Sequence, residues 1–169
     1  MAKLPIVLFP DPVLKKPAQE ITDINGNLQR LIDDMGETMY AAPGLGLAAN
    51  QVGVLSRVIV FDLSHREGGA PALRVVLNPC LKAAEGDLVH EEGCLSVKDF
   101  AAEVRRHSKV LVTGLDREGK PLEIEAEGLL AVVLQHEIDH LNGILFIDRL
   151  SRLKRALYLR RLKRQAASR

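Results

Sequence analysis

The chain has 169 residues and a formal charge of +1, enough length for one domain with its own core. Apolar residues make up 47% and charged residues 27%, with four Phe, two Tyr and no Trp, so the core is expected to be aliphatic. Two cysteines exclude a disulfide framework, and no run approaches the roughly 20 apolar residues of a membrane span, so a reducing, cytoplasmic setting is expected.

Residues 5–17 hold four of the eight prolines and should form an extended, irregular lead-in. Leu28, Leu31, Ile32, Met35 and Met39 then recur at helical spacing and predict a helix over 25–40, closed by Pro43 and Gly44. GLGLAANQVG (44–53) reads as a glycine-rich loop. RVIVFDL (57–63), LRVVLNPCL (73–81), KVLVTGLD (109–116) and KPLEIEAEG (120–128) read as strands, the last two joined in a hairpin by the turn DREG. LLAVVLQHEIDHLNG is too long for a strand and predicts an apolar helix from 129 to about 142, stopped at Asn142 and Gly143. Residues 151–165 predict a second amphipathic helix with Leu153, Leu157 and Leu162 inward. Strands and helices that do not strictly alternate predict an α+β fold, with antiparallel or mixed sheets around the helix at 129–142 and helices at both ends of the chain.

The small net charge hides an asymmetry. Residues 151–169 carry eight Lys/Arg and no acid, against 15 basic and 22 acidic groups in residues 1–150, a body of charge −7. The tail is a basic appendage of the same domain, either a solvated helix or a contact for nucleic-acid phosphates. No RNA-reading motif or interleaved aromatic residues accompany it.

Residues 135–143, QHEIDHLNG, carry the first chemical signal. On a helix, positions four apart differ by about 40° around the axis, so His136 and His140 share a face and could bind one divalent ion, with Glu137 beside them to act on a bound water. Hydrogen-bonded helix histidines would give the same pattern. A catalytic site of this kind needs a third ligand and an open position. The extended pattern HExxHxxGxxH is followed through Gly143 but meets Phe146 where the third histidine belongs, and the basic tail offers no downstream glutamate. Asp148 lies beyond the helix end. Upstream, HEEGCLSV (90–97) places Cys94 between Gly93 and Leu95, an unusual setting for a core cysteine, whereas Cys80 in VVLNPCL reads as core packing. A thiolate and two imidazoles would make a soft, tightly held site. His90 is a candidate fourth ligand, and a site closed by it would be structural.

GLGLAANQ (44–51), EGCLS (92–96) and QHEIDHLNG occur in an order and spacing that resemble the peptide deformylases, and PDPVL, VVLNP, GLLAVVLQHE and GILFID extend the resemblance over residues 5–150. The resemblance implies an enzyme that removes the formyl group from the initiator N-formylmethionine of nascent polypeptides. It implies Cys94, His136 and His140 as metal ligands, Glu137 as acid and base, and Gln51 and Leu95 as oxyanion donors, the first through its side-chain amide and the second through its backbone N–H. It also implies one divalent ion, iron(II) in many members, with zinc, nickel or cobalt able to occupy the site. Residues 1–150 would then be the catalytic body, and residues 151–169 would suit docking on the ribosome near the peptide exit. A monomer is expected, with no DNA or membrane partner.

The chemistry agrees with that assignment. A metal-bound water loses its proton near neutral pH, Glu137 can accept that proton and return it to the leaving amine, and each oxyanion donor is worth about 3–4 kcal/mol in the transition state. Gly44 and Gly46 let a backbone pass close to the substrate. Leu129, Val132 and Val133 precede His136 by one or two turns and could wall an apolar slot for an unbranched methionine side chain, with Leu45 and Gly46 completing it; ordinary core packing would show the same periodicity. Several residues depart from the usual family pattern: His90, Lys98, Phe100 and Ala101 all touch the side expected to meet the peptide. Arg106 is either a family arginine paired with Glu92 or a surface charge.

Overall fold

The computed structural model describes residues 1–168. Helix α1 spans Gly26–Ala41, with the Asn25 side chain capping its N-terminus by accepting from the Leu28 N–H. The stretch expected to be a loop contains strand β1, Gly46–Ala48, and a 3₁₀ turn over Ala49–Val52. Strand β2 is Val58–Phe61 and β3 is Arg74–Glu85, longer than expected. Two further strands, β4 (Leu88–Cys94) and β5 (Val97–Arg106), were not expected. Strands β6 (Lys109–Leu115) and β7 (Pro121–Glu127) form the expected hairpin. Helix α2 covers Leu129–Leu141, and after a 3₁₀ turn at Phe146–Arg149 the chain ends in helix α3, Arg152–Ala167.

The main sheet has the order β1-β2-β3-β6-β7 and is antiparallel throughout; β4 and β5 make a separate antiparallel ribbon. The alternation of side chains along each strand divides the core. Ala48, Ile59, Phe61 and Val76 pack with Leu134, Ile138 and Leu141 of α2. Leu47, Val58, Val60 and Leu77 face the other way, onto Leu28, Ile32, Met35 and Met39 of α1. β2 is therefore buried on both faces, which is why it reads as an unbroken apolar run rather than an alternating one. The architecture is α+β, with α2 inserted between the main sheet and the β4–β5 ribbon.

A third cluster joins the ribbon to the C-terminal region through Val97, Val104, Leu145, Phe146, Ile147 and Tyr158. Tyr158 is the anchor of α3. Leu153 and Leu157, expected to face inward, are 70% and 53% exposed, while Leu159 and Leu162 are half-buried. The helix starts after Ser151, which caps it, and the chain direction set there turns Tyr158 rather than the first two leucines toward the body. Arg169 lies outside the described residues.

Candidate metal and active site

Three elements meet at the floor of an open cleft of about 950 Å³. Helix α2 brings His136, Glu137 and His140; the end of β4 brings Cys94; the turn after β1 brings Gln51. Nε2 of His140 lies 3.3 Å from Sγ of Cys94 and 3.2 Å from Nε2 of His136. Tetrahedral coordination with a metal–nitrogen distance of about 2.05 Å and a metal–sulfur distance of about 2.3 Å puts two ligand nitrogens about 3.3 Å apart and a nitrogen and a sulfur about 3.5 Å apart. Two edges therefore already stand near the lengths of one such site, all three ligand atoms lie within 4.8 Å of one another, and the donor set suits a single divalent transition ion. His90 lines the cleft but does not join the group, which among the described residues consists of Cys94, His136 and His140.

Each residue is held by its neighbours. Oε1 of Glu92 accepts from Nδ1 of His136 at 2.8 Å, which orients the ring and turns Nε2 toward His140. Burial alone would lower the basicity of His136, but its hydrogen bonds to Cys94 and Glu92 and the charge of Glu137 outweigh it and raise the ring's pKa well above the usual value. His140 is held well below that value, chiefly by burial and then by repulsion from His136 and Arg106, so it stays a neutral donor. Burial would also raise Glu92, but Arg106 and His136 hold it ionised, at about 2. Arg106 is no surface charge: it is buried and forks onto Glu92 at 2.7 and 2.8 Å while donating to Asp139 at 2.6 Å.

Gln51 is buried, and its orientation is set by the backbone. The Ala48 N–H donates to Oε1 at 3.0 Å, so Nε2 points toward Ser96 Oγ at 3.1 Å and Cys94 Sγ at 3.5 Å. Leu95 follows Cys94 in the β4–β5 turn and borders the cleft. Glu137 is buried, and among the described residues its Oε2 accepts no hydrogen bond. Burial pushes its pKa up to about 7, against the opposing pull of His136. The backbone of the first motif passes directly over it: a Cβ at Gly46 would stand 2.6 Å from Glu137 Oε1, and one at Gly44 would stand 2.9 Å from Leu95 Cδ1. The glycines thus make room for catalytic-side residues as well as for anything entering the cleft.

Leu45, Gly46, Leu129, Val132 and Val133 all line the cleft beside these groups, joined by Lys98, Asp99, Phe100 and Arg66 at its rim. Cys80, expected in the core, is exposed on β3: it pairs with Thr113 of β6 and begins the exposed stretch of the strand that runs on to Glu85. Among the described residues, no helix is long and apolar enough to cross a membrane.

A cysteine and two histidines at coordination distance, with a buried carboxylate beside them and an apolar-walled cleft above, define a mononuclear metal-dependent hydrolase site. The family model described as polypeptide deformylase matches residues 3–156. The peptide deformylase of Thermodesulfovibrio yellowstonii is 56% identical over 163 residues, 96% of this chain and 98% of its own. That of Syntrophobacter fumaroxidans is 51% identical, covering 98% of this chain and 96% of its own. A crystal structure of a peptide deformylase from Legionella pneumophila superposes with a TM-score of 0.90 at 46% identity, covering 99% of both chains. The chain belongs to the polypeptide deformylase family, metal-dependent hydrolases that remove N-formyl groups from nascent peptides.

Proposed function

We propose that this chain deformylates nascent N-formylmethionyl polypeptides through the following division of labour, carried above all by the convergence of Cys94, His136 and His140 beside Glu137. Cys94, His136 and His140 hold one divalent ion, iron(II) by resemblance, with zinc, nickel and cobalt as possible occupants. Bound there, such an ion supplies Lewis acidity and a water that ionises near neutral pH. Glu137 accepts the proton of the water that attacks the formyl carbon. It then delivers that proton to the methionine nitrogen as the C–N bond breaks, giving formate and a free amine.

Gln51 Nε2 and the Leu95 backbone N–H donate to the formyl oxygen as it gains charge. Gln51 suits this role because the Ala48 N–H already turns its amide so that Nε2 faces Cys94 at the centre. Leu129, Val132 and Val133, with Leu45, take the methionine side chain, and Gly46 lets the peptide backbone lie close to Glu137.

The basic helix is proposed to dock on the ribosome. Arg160, Arg161, Lys163 and Arg164 are exposed, next to the uncovered Leu153 and Leu157, a surface fit for RNA phosphates with adjoining apolar contact.

The direct test is formate release from a formyl-Met peptide by protein purified without oxygen, with the non-formylated peptide as control. Wild type is expected to release formate, and Glu137→Ala to lose that activity with its metal retained. Absence of release from metal-loaded wild type overturns the reading.

A further inference from the structure

Phe146 occupies the position at which HExxHxxGxxH would place a third histidine. It is buried, and its ring lies 6.2 Å from that of His136, at 25° to it. Three residues on, Arg149 grips both oxygens of Asp139, with Nε 2.5 Å from Oδ2 and Nη2 2.7 Å from Oδ1. The same Oδ2 accepts from Arg106 at 2.6 Å, Arg106 forks onto Glu92, and Glu92 accepts from His136 at 2.8 Å. Two guanidiniums and two carboxylates alternate without a break from Arg149 to the imidazole. The inner members are nearly dry: side-chain exposures are 3% for Arg106, 4% for Glu92 and 9% for Asp139. Arg149 itself is 42% exposed, but the groups inward of it are nearly closed to water, so removing it leaves two largely buried carboxylates against one guanidinium. His140 contrasts with this: among the described residues its buried Nδ1 has no hydrogen-bond partner. Side-chain orientation at the centre is therefore concentrated on His136.

We infer that the 3₁₀ turn Phe146–Arg149 is a positioning element for His136, fixing its ring from one side by aromatic contact and from the other through the ion chain. It thereby sets how tightly the three ligands hold a divalent ion. The inference rests on reading Cys94, His136 and His140 as the ligand set. Neither Phe146 nor Arg149 is among the residues that line the cleft.

The test measures zinc affinity by competition with a chelator, alongside the melting temperature of the metal-free protein and the ring ¹⁵N signals of His136 in the zinc-bound protein. Arg149→Met and Phe146→Leu are each expected to weaken zinc binding about tenfold, at the lower end of what outer hydrogen-bond partners contribute, and to broaden the His136 signals. Arg149→Lys, which keeps the charge but not the fork, is expected to fall between wild type and Arg149→Met. Zinc affinity within twofold of wild type in Phe146→Leu and in the Arg149 variants overturns the inference, even where the melting temperature falls. If Arg149→Met does not fold, Arg149→Lys and Phe146→Leu decide. Cys94→Ala is the control for the site itself: wild type that binds zinc no better than this variant would overturn the ligand set instead.

Discussion

Gly46 lies so close to Glu137 that a Cβ added to it would stand 2.6 Å from Oε1 and 2.9 Å from Cγ. The neighbour that would have to move is the proposed proton carrier, so the clash falls on chemistry rather than on the fold. Gly46→Ala is expected to lower kcat/KM about 100-fold, the scale of an ångström misplacement of a reacting group. Its melting temperature should stay within a few degrees of wild type. Unchanged turnover of a formyl-Met peptide would contradict the close packing.

Glu137 should also set the acid limb of the rate profile. Its carboxyl is pushed up to about 7 by burial, and a cation held by the adjacent ligands favours the ionised form and moves the midpoint lower. The base must be ionised to accept a proton, so kcat/KM should rise with pH up to a midpoint at or below about 7 and then level. Glu137→Gln is expected to cut kcat by about 10²–10⁴-fold and to lose this limb. A variant that kept the same pH profile would assign the limb to another group.

Asp62 offers a stability test away from the cleft. It is buried at the end of β2 and accepts four hydrogen bonds: from Tyr40 Oη at 2.6 Å, Ala72 N at 2.7 Å, Ser64 N at 2.9 Å and Ser64 Oγ at 2.6 Å. Burial would raise its pKa, but these bonds outweigh it and hold the carboxyl well below the usual range. A depressed folded-state value means that the added stability is complete above the unfolded pKa of about 3.9 and is lost as pH falls toward the folded value. Asp62→Ala is expected to destabilise by about 2–4 kcal/mol at neutral pH, because several donors lose a charged acceptor. Urea unfolding of both proteins should show the gap shrinking between pH 5 and pH 2.

Charge removal on α3 separates docking from catalysis. Changing Arg160, Arg161, Lys163 and Arg164 to Gln is expected to leave turnover of a short formyl-Met peptide unchanged. The same change should weaken co-sedimentation with ribosomes and flatten its salt dependence by roughly 0.7–0.9 log units for each phosphate that is no longer neutralised. Equal ribosome binding by the variant would remove α3 from that role.

The sequence announced the helical half of the site most clearly. His136 and His140 share a face by spacing alone, with Glu137 beside them, and α2 forms where its apolar run and its Asn142-Gly143 stop predict. Cys94 is 46 residues from His140, and nothing periodic connects them; its setting between Gly93 and Leu95 made it a candidate, and the motif resemblance implied the pairing. The β4–β5 ribbon escaped because its inward positions include Glu92 and Arg106, charges that are buried because they pair with each other and with His136 and Asp139. Hydropathy reads such residues as surface. The same limit affected Cys80, whose apolar neighbours suggested core although β3 outruns its cover there. It affected α3 too, where one tyrosine outweighs two leucines. The ion chain to Arg149 joins residues from four elements and leaves no local signature.

Helix α2 carries the proposed walls of the apolar slot and the groups proposed to perform hydrolysis on one continuous rod, with Leu129, Val132 and Val133 leading directly into His136, Glu137 and His140. A side chain of the wrong girth pressing on Val132 or Val133 cannot shift them without shifting the proton carrier and two ligands by the same motion. Fidelity for the first residue is thereby geared mechanically to reactivity, and misfit substrates should be rejected in kcat as much as in KM.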